Sequence, residues 1–448
     1  MNKTRVFLTG ATGVMGMAGL LELLKYPEEY SVCVLARPSK KNIKKLRPFE
    51  EKGVSVIWGD LLNADDIFKG VDNADIVLHV GGLVSPEADF FPKKTIEVNV
   101  GSIEIIAKQV REIEKKNPER EIKVVYIGSV SQYGSHLPPD HWKEVGDPLS
   151  AAKYDAYALS KIRAERIIAL SGIRKWVSLR QTAILHPGLL LKADNPVMFH
   201  VPLKGAIEWV SVGDSGRLLE RVCRKEVPES FWNNFYNVGG GESYRLTNYE
   251  FEQKLLKATG CPSPEKIFEP NWFATGNFHG VWFKDSDLLD DILHFRSGET
   301  FDEVILKFKN ELPPYFRLTP LAPAFIIKAF MKKVAQKGPL GTLYWIKNND
   351  LNHITAAWGS RENYKKIPSW GQLKFPELPR TFSKISDKET GISNDPKIKI
   401  KTDQQNKNSG TLFKDCRHNH SYLTSEFLET RGGHSCPICL NETTGLKL

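Results

Sequence analysis

Short apolar runs alternate with longer segments of helical pattern through the first part of the chain. The run Val6-Phe7-Leu8 leads through a glycine-rich turn into a predicted helix at Ala18–Leu24, and further apolar runs occur at Ser31–Arg37 and Val124–Ser129. Apolar strands that alternate with helices are typical of a parallel sheet that is buried on both faces. The pattern therefore predicts an α/β fold with a doubly wound parallel sheet.

The turn after the first run reads Thr9-Gly10-Ala11-Thr12-Gly13-Val14-Met15-Gly16. Its glycines let the backbone turn tightly, approach a pyrophosphate and pack the helix close to the sheet, and the helix N-terminus offers free N–H groups to phosphates. The spacing is G-x-x-G-x-x-G and not the usual G-x-G-x-x-G, so a plain glycine turn stays an alternative for this motif alone.

A second motif, Tyr157-Ala158-Leu159-Ser160-Lys161, indicates proton-transfer chemistry. Residues i and i+4 share one face of a helix, so Tyr157 and Lys161 can act on one bound molecule. A phenol has a reference pKa of about 10, and we expect the ammonium group to lower it toward the range of efficient proton transfer. The same pair also occurs on ordinary helices. Its significance here comes from the run Val124–Ser129, which ends in hydroxyls where ligands bind to a parallel sheet.

These motifs together resemble the extended short-chain dehydrogenases/reductases, the group of NAD-dependent epimerases/dehydratases and 3β-hydroxysteroid dehydrogenases. The resemblance covers residues 3–315 and implies a Rossmann-type sheet with a smaller C-terminal substrate-binding part. The other matching motifs, in the family's order, are Gly59-Asp60-Leu61, His79-Val80-Gly81-Gly82, Val98-Asn99-Val100-Gly101-Ser102, Ser129 before Tyr133-Gly134, Leu179-Arg180-Gln181-Thr182, His186-Pro187-Gly188 and Tyr236-Asn237-Val238-Gly239-Gly240-Gly241.

The resemblance implies a catalytic set of Ser129, Tyr157 and Lys161, with Ser131 as the weaker alternative hydroxyl. Tyr157 would give a proton to a carbonyl oxygen, Ser129 would hydrogen-bond that oxygen, and Lys161 would hold the nicotinamide ribose. The implied cofactor contacts are Gly10, Thr12, Gly13, Val14, Met15, Gly16, Arg37, Asp60, Leu61, His79, Val80, Gly81, Asn99, Tyr157, Lys161 and Thr182. The family usually has His-x-Ala-Ala at residues 79–82, and the two glycines of this chain leave extra room near the cofactor.

The end of the second run predicts which cofactor is preferred. An NAD enzyme normally has a carboxylate here for the ribose 2′-hydroxyl, whereas this chain has Arg37 followed by Ser39, Lys40 and Lys41. A guanidinium group can bind a 2′-phosphate through two hydrogen bonds. The sequence therefore favours NADP(H) over NAD(H), with a merely solvated Arg37 as the alternative.

The first hypothesis for function is an NADP(H)-dependent oxidoreductase that reduces a carbonyl, or oxidises an alcohol, of a small apolar substrate. An NAD-dependent nucleotide-sugar epimerase or dehydratase is the alternative within the enzyme class. The absence of an arginine cluster suited to a nucleotide diphosphate counts mildly against this alternative. A cofactor-sensing regulatory scaffold is the hypothesis of another class, and the intact set of Ser129, Tyr157 and Lys161 favours an enzyme over it.

Composition limits the remaining classes. The chain has 448 residues, 41% of them apolar, which is enough for a large core. The chain has no run of about 18 apolar residues, so we expect no membrane span. The formal charge of +9 is modest and the lysines are dispersed, so we expect no nucleic-acid site. Few residues precede the first strand, and we expect no signal peptide, a cytoplasmic location and a homodimer as one option.

We divide the chain into a dehydrogenase domain (1–315, with the cofactor core to about 185), an aromatic and proline-containing extension (316–380), a flexible linker (381–411) and a C-terminal module (412–448). The segment Leu318–Val334 predicts an amphipathic helix with a basic edge. Such a helix can pack on the main domain, cover the substrate entrance or lie on a membrane, and packing is favoured. Aromatic residues of the substrate part line an apolar pocket or form its core: Trp209, Phe231, Trp232, Trp272, Phe273, Phe278, Trp282 and Phe283.

The C-terminal module carries a pattern typical of a structural zinc site. Zinc prefers four nitrogen or sulfur ligands in a tetrahedron, and a C-x-x-C turn supplies two of them. The predicted ligands are Cys416, His420, Cys436 and Cys439, with His418 as the rival for the second position and His434 as a poorer candidate. The block resembles a treble-clef or ribbon-type finger, which would serve in docking a protein partner. The alternative of a thioredoxin-like redox motif is disfavoured, because the sequence around this C-x-x-C lacks the βαβ pattern of such proteins.

Overall fold

The predicted apolar runs form strands, and the segments between them form helices. The computed structural model describes residues 3–85, 87–191, 194–375, 377–382, 429–430 and 433–434. The strands are β1 (Thr4–Thr9), β2 (Tyr30–Ala36), β3 (Ser55–Trp58), β4 (Ile76–His79), β5 (Lys123–Ser129), β6 (Trp142–Lys143), β7 (Lys175–Gln181), β8 (Ala183–Leu185), β9 (Ala206–Ser211), β10 (Asn234–Val238), β11 (Arg245–Thr247), β12 (Trp282–Phe283), β13 (Glu429–Thr430) and β14 (Gly433–His434).

The α-helices are α1 (Val14–Leu23), α2 (Lys40–Glu50), α3 (Ala64–Val71), α4 (Glu87–Phe90), α5 (Pro92–Lys116), α6 (Ala156–Leu170), α7 (Pro187–Leu191), α8 (Val212–Arg221), α9 (Asn248–Thr259), α10 (Pro264–Ile267), α11 (Ser286–Leu293), α12 (Phe301–Asn310), α13 (Ala324–Ala335), α14 (Thr342–Lys347), α15 (Leu351–Trp358) and α16 (Arg361–Lys365). Short 3₁₀ helices lie at Val130–Tyr133, Pro196–His200, Glu229–Phe231, Glu242–Tyr244, Pro270–Trp272, Pro314–Leu321 and Trp370–Gln372.

The main sheet has seven parallel strands in the order β10-β7-β5-β4-β1-β2-β3. Its faces bury alternate residues of each strand. On β1, Val6 and Leu8 pack in one cluster with Leu219 of α8, whereas Phe7 packs on the opposite face with Ile103 of α5 and Ala164 of α6. Both faces are therefore covered by helices, and the predicted Rossmann-type α/β fold is confirmed.

The glycine turn departs from the predicted helix start, because α1 begins at Val14 and not at Ala18. Gly10 has a φ of +78°, and a Cβ atom added to it would lie 2.7 Å from the backbone nitrogen of Gly81. A Cβ atom on Gly16 would overlap the Gly10 carbonyl. The turn thus packs directly on the β4 loop, and the helix packs directly on the turn.

A smaller part follows the main sheet. Its three-stranded sheet has the order β11-β9-β8, and β6 pairs with β12 beside it. Most of the aromatic residues that were candidates for a pocket lining belong to the interior instead. Less than a tenth of each of these side chains is exposed: Trp209, Phe231, Trp232, Trp272, Phe273, Trp282 and Phe283. Phe278 is half-buried and borders a cavity.

The extension packs on this smaller part through two clusters. Met331 and Val334 of α13 pack with Phe268 in the first cluster. In the second cluster Trp345 of α14 packs with Ile354 and Trp358 of α15. No helix in the described part of the chain is long and apolar enough to cross a membrane. The predicted zinc ligands Cys416, His420, Cys436 and Cys439, with the rival His418, lie outside the described residues. For His434 only its place in β14 is described.

Candidate active site

The candidate site lies where the order of strands reverses. β1 and β4 are neighbours in the sheet, and successive strands continue outward from them on opposite sides. Their carboxyl ends carry the glycine turn after β1, the Gly81 loop after β4 and the 3₁₀ helix after β5. Ligands of open α/β sheets bind in the crevice at this point. The sequence-predicted residues are therefore brought to one sheet edge.

The first turn of α1 is suited to an anion. Its N-terminal cap is Gly13, which provides no capping side chain, and no acidic residue occupies the first turn. The first N–H groups of the helix are therefore available to phosphate oxygens, and the positive end of the helix dipole favours them. Thr12 is half-buried and Val14 is exposed beside Gly13, whereas Met15 points into the core.

His79 is placed beneath the turn and not in the crevice. Its Nδ1 atom is 2.9 Å from the Thr9 hydroxyl, and its Nε2 atom is 3.1 Å from the Ser102 hydroxyl. The backbone N–H of Gly81 donates to the same Thr9 oxygen at 3.0 Å. Burial, with the nearby charge of Lys161, lowers the pKa of His79 to about 3. A neutral His79 thus holds the two loops together from beneath the turn.

Thr182 is also turned away from the crevice, since its buried hydroxyl donates to the carbonyl of Glu208. Asn99 is buried and fixes the loop after β4. Its amide donates to the Leu83 carbonyl at 3.0 Å and to the Ser160 hydroxyl at 2.9 Å. The Leu83 N–H donates back to Asn99 at 2.8 Å. Asn99 therefore links the β4 loop to α6, the helix that carries Tyr157.

Lys161 is buried below the sheet edge. Its ammonium group donates to the carbonyl of Ile127 at 2.7 Å and lies 5.8 Å from the ring centre of Tyr157. The ring of Tyr126 lies on another side, with its centre 5.1 Å from the Lys161 nitrogen. Burial lowers the pKa of Lys161 to about 8, although the charge of Glu165 opposes this shift.

Ser129, Ser131 and Tyr157 form a chain of hydroxyls. Ser129 caps the 3₁₀ helix after β5, accepting a hydrogen bond from the Ser131 N–H at 3.2 Å. The Ser131 hydroxyl donates to the Ser129 oxygen at 3.0 Å and is fully buried. A hydrogen bond also joins Ser129 to Tyr157. Ser131 thus orients Ser129, which is the hydroxyl that meets Tyr157.

The expected lowering of the Tyr157 pKa by Lys161 is not what this geometry produces. Burial raises the pKa of Tyr157 to about 12, and the hydrogen bond with Ser129 only partly offsets burial. Lys161 directs its ammonium group to Ile127 and stands beside the ring rather than at the hydroxyl. Tyr157 is therefore a protonated phenol at neutral pH and is set up to donate a proton.

A buried ion pair fixes α6 against the sheet. Arg180 on β7 and Glu165 on α6 are each 1% exposed, with Nη2 2.7 Å from Oε1 and Nε 3.1 Å from Oε2. The Ser178 hydroxyl donates to Glu165 at 2.6 Å. On its other side Arg180 donates to the Tyr133 hydroxyl at 2.8 Å, and Tyr133 donates to Asn237 at 2.9 Å. The network connects α6, β7, β10 and the turn that follows Ser129.

Sequence reasoning did not assign a role to Glu165. A carboxylate four residues after Lys161 shares the helix face of Tyr157 and Lys161, and that face is buried against β5 and β7. A charged residue on a buried helix face needs a partner, so the position of Glu165 in the sequence could have indicated a buried ion pair. Gln132 was also missed. Its carbonyl accepts the Ser129 N–H at 2.7 Å and completes the cap of the 3₁₀ helix.

The end of β2 presents cationic side chains beside the glycine turn. Arg37 is exposed and its guanidinium group has no ion-pair partner within the described ranges. Ser39 caps α2 by accepting the Asn42 N–H at 3.2 Å. Lys45, one turn further along α2, donates to the Thr12 carbonyl at 2.6 Å. Sequence reasoning missed Lys45, whose charge lies directly on the turn predicted to hold phosphates.

The end of β3 borders the same turn. Asp60 is exposed and accepts the Leu62 N–H at 2.8 Å. Leu61 is half-buried, and Val80 packs against the main core. Leu61 lies next to the loop after β4, since a Cβ atom added to Gly81 would be 3.0 Å from its side chain.

The first turn of α6 also borders a cavity of about 550 Å³. Asp155 caps α6 by accepting the Ala158 N–H at 2.7 Å, and its second oxygen lies 2.9 Å from Nδ1 of His279. The cavity is lined by Asp155 and His279 together with Phe278 and with Trp345 of the extension. The extension therefore contributes a wall next to the helix that carries Tyr157.

Comparison with known proteins places this fold. Residues 6–178 match the model of the NAD dependent epimerase/dehydratase family. A dTDP-glucose 4,6-dehydratase from Streptomyces venezuelae, solved with NAD and TYD bound, is 17% identical with a TM-score of 0.55, over 68% of this chain and 96% of that chain. A UDP-glucose 4-epimerase from Bifidobacterium longum, in complex with NAD⁺ and UDP, is 17% identical with a TM-score of 0.53, over 68% and 97%.

A dTDP-glucose 4,6-dehydratase from Bacillus anthracis, in complex with NAD, is 16% identical with a TM-score of 0.54, over 68% of this chain and 96% of that chain. No curated protein sequence matches the chain. Residues 6–178 are thus similar to the NAD dependent epimerase/dehydratase family, and this similarity supports the predicted class of NAD(P)-dependent enzyme.

The burial of Lys161 makes a prediction about stability. Its pKa falls from 10.5 to about 8 on folding, so below pH 8 the folded chain holds a desolvated ammonium at a cost of about 3 kcal/mol. That cost fades as the pH rises from 8 to 10.5. We expect Lys161→Met, which loses the hydrogen bond to Ile127, to raise the free energy of unfolding by about 2 kcal/mol at pH 7 and to lower it by up to about 1 kcal/mol near pH 10.5.

Urea unfolding at both pH values measures this difference, with Lys115→Met as the control because Lys115 is exposed. An equal destabilisation of Lys161→Met at both pH values would show that Lys161 is not desolvated.

Proposed function

We propose that the chain oxidises and re-reduces a secondary alcohol of a nucleotide-linked sugar, as an NAD(P)-dependent epimerase-type enzyme. The observation that carries this proposal is the hydroxyl pair Ser129 and Tyr157 at the carboxyl end of β5, with Lys161 buried beside it. The match of residues 6–178 to the epimerase/dehydratase family supports the substrate class. So does the similarity to enzymes whose names include UDP-glucose and dTDP-glucose.

The fit of a dinucleotide rests on the backbone of the crevice. The φ of +78° at Gly10 and the contact between Gly10 and Gly81 leave the first turn of α1 open to phosphates, and no side chain caps it. Gly10, Thr12, Gly13 and Val14 would hold the pyrophosphate. Lys161 and Asn99 border the place for the nicotinamide ribose. A nicotinamide ring bound here would supply and accept hydride.

The residues of the chain then handle the proton. In the reduction direction Tyr157, a protonated phenol with its pKa raised to about 12, donates its proton to the carbonyl oxygen. Ser129 donates a hydrogen bond to the same oxygen, and Ser131 keeps Ser129 in place. In the oxidation direction the Tyr157 oxygen takes the alcohol proton.

An epimerase-type cycle is favoured over a dehydratase. Loss of water needs an additional acid to protonate the departing hydroxyl group. The 3₁₀ helix after Ser129 reads Val130-Ser131-Gln132-Tyr133 and carries no carboxylate. The cavity beside α6, at about 550 Å³, is in the range of small-molecule pockets and is our proposed place for the part of the substrate remote from the reacting carbon.

The role of Tyr157 predicts a separation of turnover from binding. We expect Tyr157→Phe to lower turnover of UDP-glucose or dTDP-glucose by about 100-fold or more, because only the proton donor is lost. Cofactor affinity, measured by fluorescence titration, should stay within about twofold. Tyr364→Phe is the matched control in the extension. A Tyr157→Phe enzyme that keeps more than about a tenth of the turnover would remove Tyr157 from the mechanism.

A second candidate function is net reduction of a carbonyl with NADPH. The observation that favours it is the cationic end of β2, where Arg37 is exposed without an ion-pair partner in the described ranges and Lys45 lies on the glycine turn. A guanidinium group beside the adenine ribose can bind a 2′-phosphate. The named similar structures contain NAD, which supports the first candidate.

The two candidates differ in what Arg37 does. If Arg37 binds a 2′-phosphate, Arg37→Asp should weaken NADPH binding by about tenfold or more and strengthen NADH binding, because a carboxylate repels phosphate and accepts ribose hydroxyls. Calorimetric titration of both cofactors against wild-type protein and Arg37→Asp measures this, with Lys93→Asp as a charge control. Preference of the wild-type protein for NADH would leave the epimerase-type cycle as the only candidate.

We also propose that residues 412–448 bind one structural zinc ion through Cys416, His420, Cys436 and Cys439. The support is the spacing of these residues, since a C-x-x-C turn and an earlier Cys and His supply a tetrahedral set. Elemental analysis of the full chain should find about one zinc per chain, and truncation after residue 411 should remove it while turnover stays. Zinc that survives truncation would contradict the ligand assignment.

A further inference from the structure

Helix α13 carries both buried and exposed apolar side chains. Met331, Val334 and Ala335 are buried against the smaller part of the fold. Other large apolar side chains, on α13 and at the end of the preceding 3₁₀ helix, are exposed to solvent. We call these residues the apolar ridge: Leu321, Phe325, Ile326 and Phe330, exposed by 77%, 72%, 53% and 49%. Scattered exposed apolar residues are ordinary, but four large ones within residues 321–330 are typical of a surface that binds something.

The charge around the ridge has one sign. Between residues 312 and 349 the sequence has six Lys or Arg residues and no Asp or Glu. The acidic groups of the body that lie nearby are already paired, Glu269 with Lys328 and Asp194 with Lys337. Lys332 and Lys333 are exposed and have no acidic partner in the described ranges. The ridge is thus an apolar strip with an unneutralised basic edge.

We propose that the apolar ridge docks on the surface of a membrane that contains anionic lipids. An apolar strip bordered by lysines is the composition that lies in the lipid interface, with the lysines at the headgroups. The helix is fixed to the body by Met331 and Val334, so it lies along the surface and is ordered before it binds. Its 12 residues are too few to cross a bilayer.

A second copy of the chain is a poorer occupant. In a twofold symmetric contact the same patch meets itself, which would bring Lys332 and Lys333 of the two copies together without acidic partners. Lipid headgroups such as phosphatidylglycerol supply the complementary negative charge instead.

Vesicle sedimentation tests the apolar part of the proposal. The full chain should bind vesicles of phosphatidylcholine with phosphatidylglycerol, and more weakly vesicles of phosphatidylcholine alone. We expect Phe325→Ser/Phe330→Ser to lower the partition coefficient by about 100-fold, because each ring contributes at least about tenfold. The control is Leu288→Ser/Leu306→Ser, since these leucines are exposed by 52% and 56% elsewhere. Thermal melts confirm that all variants are folded.

The basic edge is tested by charge reversal. Lys332→Glu/Lys333→Glu should weaken binding to the anionic vesicles by at least about 25-fold, near fivefold for each lysine, and should abolish the preference for them. Lys115→Glu/Lys116→Glu, an exposed pair on α5, is the matched control.

Either of two results would overturn the proposal. The first is a full chain that does not bind anionic vesicles, or binds them equally well without Phe325 and Phe330. The second is a wild-type dimer, seen by sedimentation velocity without lipid, that Phe325→Ser/Phe330→Ser converts to monomers. The second result would assign the ridge to a second copy of the chain.

Discussion

The ion pair between Arg180 and Glu165 is the constraint on which the candidate site depends. Both side chains are almost fully buried, so neither tolerates the loss of its partner. Glu165 lies one helical turn after Lys161 and two turns after Tyr157, and its partner Arg180 also binds Tyr133 in the 3₁₀ helix that begins after Ser129. One salt bridge therefore sets the distance between the helix and the turn that together carry the proposed catalytic groups.

The site is desolvated, and this has a chemical consequence. Burial raises the pKa of Tyr157 to about 12 and lowers that of Lys161 to about 8, so each group is moved toward its neutral form. The phenol of Tyr157 therefore keeps its proton at neutral pH until a bound carbonyl oxygen accepts it. The same burial costs stability in the folded chain, which is common at functional sites.

Sequence patterns predicted the parallel sheet and the glycine turn because both depend on local rules. An apolar run makes a buried strand, and glycine is needed where Gly10 takes a positive φ against Gly81. The patterns did not predict that His79 points beneath the turn, because its orientation depends on Thr9 and Ser102, which are distant in sequence. The patterns also did not predict whether the aromatic residues of the smaller part line a pocket or belong to the core. Packing between segments that are distant in sequence determines this.

The central claim is that hydride leaves the substrate carbon at the sheet edge occupied by Ser129 and Tyr157. Its most direct test follows deuterium from UDP-glucose labelled at carbon 4 during a single turnover with the cofactor bound to the full chain. We predict that mass spectrometry of samples quenched during the turnover finds one deuterium on the nicotinamide ring, and that this deuterium is back on carbon 4 of the sugar when the turnover is complete. Conversion of the sugar with the label lost to solvent, or without any nicotinamide cofactor bound, would contradict it.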